Sequence, residues 1–244
     1  MKKYIQRRFP QLFNVLRRIK SFYEWDEYEN RHYSQEGEDI ILSRIFEGKA
    51  NGFYIDVGAH HPKRFSNTYL FYRRGWRGVN IDAMPGSMDL FNKIRPNDIN
   101  VEVGVGISKE AEMNYYIFNG PALNTFSRQL SEGRSQGSQN YHVQEVCSVK
   151  VKSLSQILDE YVKTDQSLEF MSVDVEGLDY QVLASNDWAK YRPYVVLVEI
   201  LGATLEGIEK SEIGSFMKEL GYVVYAKSMQ TVFFIDSRVQ RTSE

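Results

Sequence analysis

The sequence is poor in several features that mark specialised protein classes. Cys147 is its one cysteine in 244 residues, which excludes an intrachain disulfide and a zinc site built from several cysteines. It has no apolar run long enough for a signal peptide or a membrane span. Neither sign of charge dominates, and the net charge of -2 argues against nucleic-acid binding. These absences predict a cytoplasmic protein in a reducing compartment.

The charge is distributed unevenly at the amino terminus. The first twenty residues contain no acidic side chain and these basic ones: Lys2, Lys3, Arg7, Arg8, Arg17, Arg18 and Lys20. Apolar side chains recur there at helical spacing, at Ile5, Phe9, Leu12, Leu16 and Ile19. Residues 1–33 are therefore predicted to be a basic amphipathic extension with a linker. Two roles are open for residues 1–20: peripheral docking on an anionic surface such as the inner membrane, or packing on this domain or a second subunit.

From residue 34 onward, apolar runs alternate with segments of helical pattern. Strands are predicted at residues 54–57, 78–82, 100–107, 170–175, 194–200, 222–226 and 231–235. Four residues separate the last two strands, which is too few for a helical crossover, so that pair must be antiparallel. The predicted fold is one α/β domain, residues 34–244, with a seven-stranded, mostly parallel sheet covered by helices on both faces.

The alternation lapses between residues 112 and 152. Residues 113–118 and 146–151 have strand character, but residues 120–140 between them are rich in Ser, Gly, Gln and Asn and show no apolar period. A connection of this length in a compact domain is usually a functional lid or disordered. We therefore predict a lid-like segment inserted near residues 112–152.

A β-α-β unit runs from Phe53 to Pro85, and Gly58 and Asp82 mark the ends of its two strands. Ligands bind at the rim formed by the carboxyl ends of parallel strands. The loop DVGAHH has one glycine, whereas a dinucleotide fingerprint has three, so pyrophosphate binding is not expected. Asp82 is placed to accept hydrogen bonds from both hydroxyls of a ribose. Asp56 lies inside the first strand, where burial of its charge is costly without a partner. That partner is a cationic group of a cofactor, or else Asp56 caps a helix or forms an ion pair within the protein.

Two later strands each deliver a carboxylate to the same rim. Asp174 follows the strand in MSVDVEGLDY, with Glu176 just beyond it, and Glu199 ends the strand in VVLVEI. Adjacent parallel strands lie roughly 4.8 Å apart, so Asp174 and Glu199 are predicted to be close. They are candidates for a general base or for a Mg²⁺-type site with oxygen ligands. Alternatively, one caps the following helix and the other pairs with Lys or Arg.

Four blocks of sequence resemble the FkbM-type S-adenosylmethionine-dependent methyltransferases: SQEGEDIIL, FYIDVGAHHPKRFSNTYLFYRRGWRGVNIDAMP, SVDVEGLDYQVL, and ELGYVVY with TVFFI. The resemblance spans residues 34–235 and implies a Rossmann-like methyltransferase fold with an antiparallel last strand. It implies that residues 56–59 meet the methionine end of S-adenosylmethionine, that Asp82 binds the ribose, and that residues 83–84 and 104–105 face the adenine. The cofactor-binding residues it implies are Gln35, Asp56, Gly58, Ala59, Asp82, Ala83, Met84, Gly104 and Val105.

The resemblance also implies an acceptor, because family members commonly methylate hydroxyls of sugars and other natural products. The predicted function is therefore O-methylation of a sugar, a polysaccharide precursor or a natural product. A hydroxyl is a poor nucleophile while it keeps its proton, so one of three side chains is predicted to remove that proton: Asp174, Glu176 or His60. The proton passes to that side chain directly, or it is removed with the help of a divalent cation such as Mg²⁺ that Asp174 and Glu199 hold.

Further side chains are candidates for contact with the acceptor: His61, Ser66, Asn67 and His142. The run Ser66, Asn67 and Thr68 is also a good helix cap, and capping is favoured for it. His60 and His61 stand where many methyltransferases have a further glycine, and loop hydrogen bonding is an equal alternative for His60. Two other functions are left open: a nicotinamide-dependent oxidoreductase, which the single glycine and the DVEG segment disfavour, and a non-catalytic module with a cofactor-like pocket.

Overall fold

The computed structural model of the protein describes residues 10–11, 30–106, 112–137 and 140–239. The chain divides into two compact units, Met1–Arg31 and His32–Glu244. The basic extension predicted for residues 1–33 lies mostly outside the described residues, so its membrane or subunit role stays a prediction. Across the described ranges, no helix combines the length and the apolar character needed to span a bilayer.

Ten strands are present in the described part of the second unit: β1 (Phe53–Val57), β2 (Arg77–Asp82), β3 (Ile99–Glu102), β4 (Gly104–Val105), β5 (Glu112–Phe118), β6 (Val143–Lys152), β7 (Phe170–Val173), β8 (Val195–Glu199), β9 (Tyr222–Lys227) and β10 (Thr231–Asp236). Seven of them form the main sheet, in the order β3-β2-β1-β7-β8-β10-β9. The first five strands in that order are mutually parallel. β10 lies between β8 and β9 and is antiparallel to both. The predicted seven-stranded, mostly parallel sheet with an antiparallel C-terminal strand is confirmed.

The helices of this unit are α1 (Glu38–Ile45), α2 (Tyr69–Arg73), α3 (Ser87–Ile94), α4 (Arg128–Gly137), α5 (Leu154–Tyr161), α6 (Asp179–Ala184), α7 (Leu205–Ile208) and α8 (Glu212–Glu219). Two apolar clusters cover the two faces of the main sheet. In β1, Tyr54 belongs to one cluster and Ile55 to the other, since adjacent residues of a strand point to opposite faces. Leu42 of α1 and Phe71 of α2 join the first cluster, and Leu158 of α5 joins the second. Burial on both faces explains why the strands read as nearly continuous apolar runs.

Two helices begin later than the sequence pattern predicts. The sequence predicts a helix over residues 34–46 that begins with Ser34 as a cap, whereas α1 starts at Glu38 after Gly37, which has a left-handed φ of 88°. The Ser34 hydroxyl donates to Asp39 Oδ1 at 2.7 Å and accepts the backbone N–H of Asp39 at 3.4 Å, so this serine binds the first turn of α1 although Gly37 occupies the N-cap position. α2 likewise starts at Tyr69 and not at residue 66.

The predicted third strand, residues 100–107, is divided in the structure. β3 pairs with β2 as far as Glu102, whereas β4 turns away and pairs in parallel with β6. β4, β6 and β5 form a second, three-stranded sheet. Phe126 packs on Gly104, where a Cβ would lie 2.5 Å from the ring. The strand therefore leaves the main sheet because the segment near residues 112–152 offers it a second pairing partner.

That inserted segment has more regular structure than its sequence predicts. β5 and β6 pair in antiparallel fashion, and residues 119–142 between them, which we call the insert connection, carry a short 3-10 turn (Pro121–Leu123) and α4. α4 reads RQLSEGRSQG, and Ser131 is its one fully buried residue. The sequence does not predict this helix, because a helix without an apolar stripe leaves no periodic signal. The lid-like role of the segment stays a prediction.

Candidate active site

A cavity of about 770 Å³ opens at the carboxyl ends of β1, β2, β7 and β8. Open α/β sheets bind ligands at this rim, and the volume is typical of a small-molecule site. Most of the predicted site residues line the cavity: Gln35, Gly58, His60, His61, Asn67, Asp82, Ala83, Met84, Val105, Asp174, Glu176 and Glu199. The fold therefore gathers residues from distant parts of the sequence around one space.

Asp56 and Ser66 do not line the cavity, because both belong to a buried polar network. The Thr68 hydroxyl donates to Asp56 Oδ2 at 2.6 Å, and Arg95 Nη2 donates to Thr68 Oγ1 at 3.0 Å. Arg95 is completely buried, and its Nε donates to Asp98 Oδ2 at 2.8 Å. Ser66 Oγ accepts the first backbone N–H of α2 at 3.1 Å, as expected for a cap. The protein itself thus supplies the partner that Asp56 needs.

Ala59, Gly104 and His142 also lie outside the cavity lining. Ala59 is buried in a small apolar cluster with α3. Gly104 lies beneath the Phe126 ring. His142 is exposed, and its backbone N–H donates to Asn119 Oδ1 at 3.1 Å within the insert connection. The resemblance implied Ala59 and Gly104, and His142 was a candidate for contact with the acceptor; neither source specifies which side of a strand or loop meets the cavity.

Gly58 is the point at which the loop after β1 meets the loop after β7. Its φ is 81°, and a Cβ on it would lie 1.7 Å from the carbonyl oxygen of Asp174. Only glycine permits such an approach. The backbone N–H groups of Gly58 and Ala59 donate to the carbonyl of Ile81 at 2.9 and 3.1 Å. The loop after β1 is thereby fixed between its two neighbouring strands.

Asp82 ends β2 and is nearly buried. Its Oδ2 accepts the backbone N–H of His60 and its Oδ1 accepts the backbone N–H of Met84, both at 2.8 Å. Burial raises the pKa of the Asp82 carboxyl, while these two donors lower it. Each oxygen keeps a further lone pair, so the carboxylate has room to accept two ligand hydroxyls.

His60 and His61 have different positions in the loop. His60 has a φ of 50°, in the left-handed region that glycine adopts most easily, and presents its backbone N–H to Asp82. His61 Nδ1 accepts the backbone N–H groups of Lys63 and Arg64 at 3.0 and 2.9 Å, so its ring caps the turn. Burial lowers the pKa of both imidazoles, which favours their neutral forms at neutral pH.

Asp174 and Glu199 lie in the same cavity and interact electrostatically. Burial raises the pKa of the Asp174 carboxyl well above its usual value, and Glu199 raises it further. Burial also raises the pKa of Glu199 to about 7, with a contribution from Glu176. Asp174 is open to the cavity even though protein surrounds it on most sides. The pair therefore holds protons at pH values where ordinary carboxyls are ionised.

Asp174 does not cap α6, because the N-cap position is Leu178 and no side chain makes a cap hydrogen bond there. The Asp179 carboxylate, in the first turn of α6, instead orders the loop before the helix. Asp179 accepts the backbone N–H groups of Val175 and Gly177, both at 3.1 Å, and burial raises its pKa to about 6. Within the described ranges, no three or more His, Cys, Asp or Glu side chains are grouped so as to hold a metal ion. The structure thus gives no support to the predicted cation at Asp174 and Glu199.

Glu176 forms an ion pair that sequence reasoning missed. Arg134 Nη2, on α4, donates to Glu176 Oε2 at 2.5 Å, and Arg134 Nη1 donates to the carbonyl of Leu123 at 2.7 Å. Both charged side chains line the cavity and are about three-quarters buried. Burial raises the pKa of Glu176, and the Arg134 guanidinium lowers it. No spacing in the sequence links residues 42 positions apart.

The inserted segment also supplies an aromatic wall. Tyr115 of β5 packs on Phe126 with ring centroids 4.7 Å apart, and both line the cavity. Asn124 is buried beside them, with its Oδ1 accepting the backbone N–H of Phe118 at 2.8 Å and its Nδ2 contacting Met84 Sδ at 3.5 Å. This wall faces the side of the cavity that holds Met84. Tyr115 is one of several aromatic residues that the sequence offers for stacking on a ligand, but no sequence signal connects Phe126 or Asn124 to the cavity.

The sheet order and this site define a class of protein. A mostly parallel sheet has an antiparallel strand inserted next to its edge, a single-glycine turn follows β1, and a carboxylate ends β2. This combination is that of the Rossmann-like, S-adenosylmethionine-dependent methyltransferases.

The particular family follows from comparison with known proteins. Residues 56–224, more than half of the chain, match the methyltransferase FkbM domain, and the chain therefore belongs to the FkbM methyltransferase family. This confirms the resemblance and an S-adenosylmethionine-dependent enzyme, in preference to an oxidoreductase or a non-catalytic module. No curated protein matches the chain.

Two solved structures are similar over most of the chain. Precorrin-6y C5,15-methyltransferase from Geobacter metallireducens GS-15 has 14% sequence identity and a TM-score of 0.42, with 87% of this chain and 92% of that chain covered. A TehB-like SAM-dependent methyltransferase from Corynebacterium glutamicum has 10% identity and a TM-score of 0.40, with 92% and 97% covered.

Proposed function

We propose that the enzyme transfers the methyl group of S-adenosylmethionine to a hydroxyl of a sugar, a polysaccharide precursor or another natural product. The observation that supports this best is the Asp174 carboxyl, which opens to the cavity and has a raised pKa. A general base works best when its pKa lies near the working pH. A hydroxyl acceptor needs such a base, because it is a poor nucleophile while protonated.

The residues of the cavity fit the cofactor. Asp82 has two free lone pairs for the ribose hydroxyls, and Tyr115 and Phe126 give an apolar wall beside Met84 for the adenine. Gly58 lets the backbone of the loop after β1 approach the methionine end. When bound, S-adenosylmethionine supplies an electrophilic methyl group on a sulfonium.

The other predicted cofactor residues fall into two groups under this proposal. Those that line the cavity contact the cofactor: Gln35, Ala83 and Val105. Those that lie behind the lining support the residues that do: Asp56, Ala59 and Gly104.

Asp174 is the proposed base. The acceptor oxygen, the methyl carbon and the sulfur must lie in line, and holding the acceptor in that position supplies much of the rate. The acceptor proton passes to Asp174 as the oxygen attacks, and Asp174 then releases it to solvent. Asn67, His61 and Glu176 lie around the same cavity and are proposed to orient the acceptor. His60 is the second candidate for the base, because its imidazole is neutral and lines the cavity.

The cavity is acidic, and this bears on the choice of acceptor. The carboxylates in its lining are Glu36, Glu38, Asp82, Asp174, Glu176 and Glu199. Among the described residues of the lining, Arg134 is the one Lys or Arg side chain, and it is already paired with Glu176. A phosphate on the acceptor would meet like charge, which costs affinity. We therefore propose an acceptor without phosphate groups.

Turnover of labelled S-adenosylmethionine with a panel of free sugars, sugar phosphates and nucleotide sugars tests this function. We expect methyl transfer to an unphosphorylated hydroxyl acceptor, and a loss of about 100-fold or more in kcat for Asp174→Asn with cofactor binding retained. His60→Gly keeps the left-handed backbone and removes the ring, so a similar loss there would assign the base to His60. Asp165→Asn, at an exposed position, is the control. Cofactor binding without transfer to any hydroxyl would overturn O-methylation.

The predicted divalent cation has its own test. If Asp174 and Glu199 hold Mg²⁺, a chelator will abolish turnover and added Mg²⁺ will restore it. Full activity in the chelator, or full activity of Glu199→Gln, would remove the cation from the mechanism.

The raised pKa of Glu199 predicts how stability depends on pH. Its pKa is about 7 in the folded protein and about 4.3 in an unfolded chain, so the folded state holds more protons between these values. Its contribution to stability is therefore complete at low pH and is lost as the pH rises to 7. We expect Glu199→Gln to be more stable than the parent by about 1 kcal/mol at pH 8, since solvent screens this partly exposed group, and by less at pH 5. Urea unfolding at both pH values measures this; an equal difference at both would contradict it.

A further inference from the structure

The insert connection holds the loop after β7 at three points. The Arg134 side chain donates to the Glu176 carboxylate at 2.5 Å, and the buried Thr125 hydroxyl donates to the Glu176 carbonyl at 3.1 Å. Leu130 packs over Gly177, where a Cβ would lie 2.3 Å from the Leu130 Cδ1. Two of the three contacts are made to Glu176, one to its backbone and one to its side chain.

Glu176 has a backbone conformation that residues other than glycine rarely adopt. Its φ is 54°, in the left-handed region. Such a conformation costs free energy and persists where surrounding contacts fix it. Here Thr125 fixes the backbone and Arg134 fixes the carboxylate. The direction in which Glu176 points therefore depends on the insert connection.

The charges around Glu176 make its ionisation depend on Arg134 as well. The titratable groups that interact with Glu176 are Asp174, Asp179, Glu199 and Tyr115, all of which are neutral or negative, and the Arg134 guanidinium. Burial opposes the charge on Glu176, and the Arg134 guanidinium favours it. Without Arg134, Glu176 would hold a proton at higher pH, as its neighbours Asp174 and Glu199 do.

We infer that Arg134 is a positioning residue: it holds the Glu176 carboxylate ionised and directed into the cavity, where Glu176 accepts a hydrogen bond from the acceptor. This inference rests on the proposed transfer to a hydroxyl acceptor. It assigns the orientation of the acceptor to Glu176 and leaves proton removal to Asp174. The insert connection then takes part in catalysis through one ion pair and does not serve solely as a cover over the cavity.

The first test measures the carboxyl of Glu176 directly and needs no acceptor. The full chain is labelled with carboxyl-¹³C glutamate, and the Glu176 signal is assigned by its loss in Glu176→Gln. We expect the Glu176 pKa to rise in Arg134→Gln and to change little in Arg134→Lys. Arg128→Gln is the matched control, because Arg128 lies on the same helix, is exposed and pairs with Glu132. An unchanged Glu176 pKa in Arg134→Gln would overturn the inference.

The second test is a double-mutant cycle on turnover. We expect Arg134→Gln to lower kcat/KM for the acceptor about 10- to 100-fold, the scale of one charged hydrogen bond, with partial recovery in Arg134→Lys and cofactor affinity unchanged. In a Glu176→Gln background, Arg134→Gln should cost nothing further, since its effect passes through Glu176. Fully additive losses would overturn the inference. If no hydroxyl is methylated at all, the proposed function fails while the carboxyl titration still decides the role of Arg134.

Discussion

Replacing Asp82 with alanine is expected to abolish measurable binding of S-adenosylmethionine. The carboxylate would accept two ribose hydroxyls, and hydrogen bonds to a charged group contribute about 1.5–3 kcal/mol each, so their loss lowers affinity by at least about 100-fold. The substitution also removes the acceptor for the backbone N–H groups of His60 and Met84, which loosens the two loops beside the cofactor. Titration calorimetry of the full chain with S-adenosylmethionine measures the effect.

Two further variants separate the causes. Asp82→Asn keeps the shape, but its amide has one oxygen where the structure requires both atoms to accept a backbone N–H, so it should also fail to bind. Asp89→Ala, an exposed acid in the first turn of α3, should bind as the parent does. Retention of parental affinity by Asp82→Ala would contradict the assignment of the ribose to this carboxylate.

We expect Gly58→Ala to lower folding stability more than any other substitution that adds one methyl group to the loop after β1. The left-handed φ of 81° costs a non-glycine residue about 1–2 kcal/mol. The new Cβ would also lie 1.7 Å from the Asp174 carbonyl oxygen, which is backbone and cannot rotate away. We expect a total loss of about 3 kcal/mol or more in the free energy of unfolding, measured by urea denaturation.

Gly75→Ala is the matched control for this prediction. Gly75 has a comparable φ of 97°, but nothing lies within 4 Å of the position that its Cβ would take. Its substitution should therefore show the cost of the backbone conformation alone, about 1 kcal/mol. Equal losses of unfolding free energy at Gly58 and Gly75 would contradict the prediction, because they would mean that the loops after β1 and β7 can move apart without cost.

The fold was largely predictable because its signals are local. Strands buried on both faces read as continuous apolar runs, and VVLVE of β8 is an example. The antiparallel direction of β10 followed from the four-residue connection before it. The division of the predicted third strand between two sheets was not predictable, since it depends on β6, where Val151 pairs with Gly104 from 47 positions further along the chain.

The sequence predicts the site residues that lie at strand ends. It does not predict those that contacts between distant parts of the chain bring to the site. Gly58 and Asp174 each follow a parallel strand and Asp82 ends one, and the topology brings such strand ends together. Asp56 lies in β1, but its hydrogen-bond partner is the Thr68 hydroxyl, to which the buried Arg95 in turn donates, and no spacing in the sequence indicates these contacts. Arg134 lies on a polar helix that has no apolar period, so neither the helix nor its reach toward the cavity was visible in the sequence.

The insert connection has a consequence for how this enzyme changes its substrate during evolution. Phe126 packs on Gly104 and Tyr115 on one side of the cavity, and Arg134, eight residues later, pairs with Glu176 on another. Under the proposed function, Phe126 lies beside the adenine and Glu176 orients the acceptor, so an exchange of this segment that recruits a new acceptor would also change the wall beside the cofactor. Acceptor preference and cofactor affinity would then be inherited together on one segment, and selection on either would act on both.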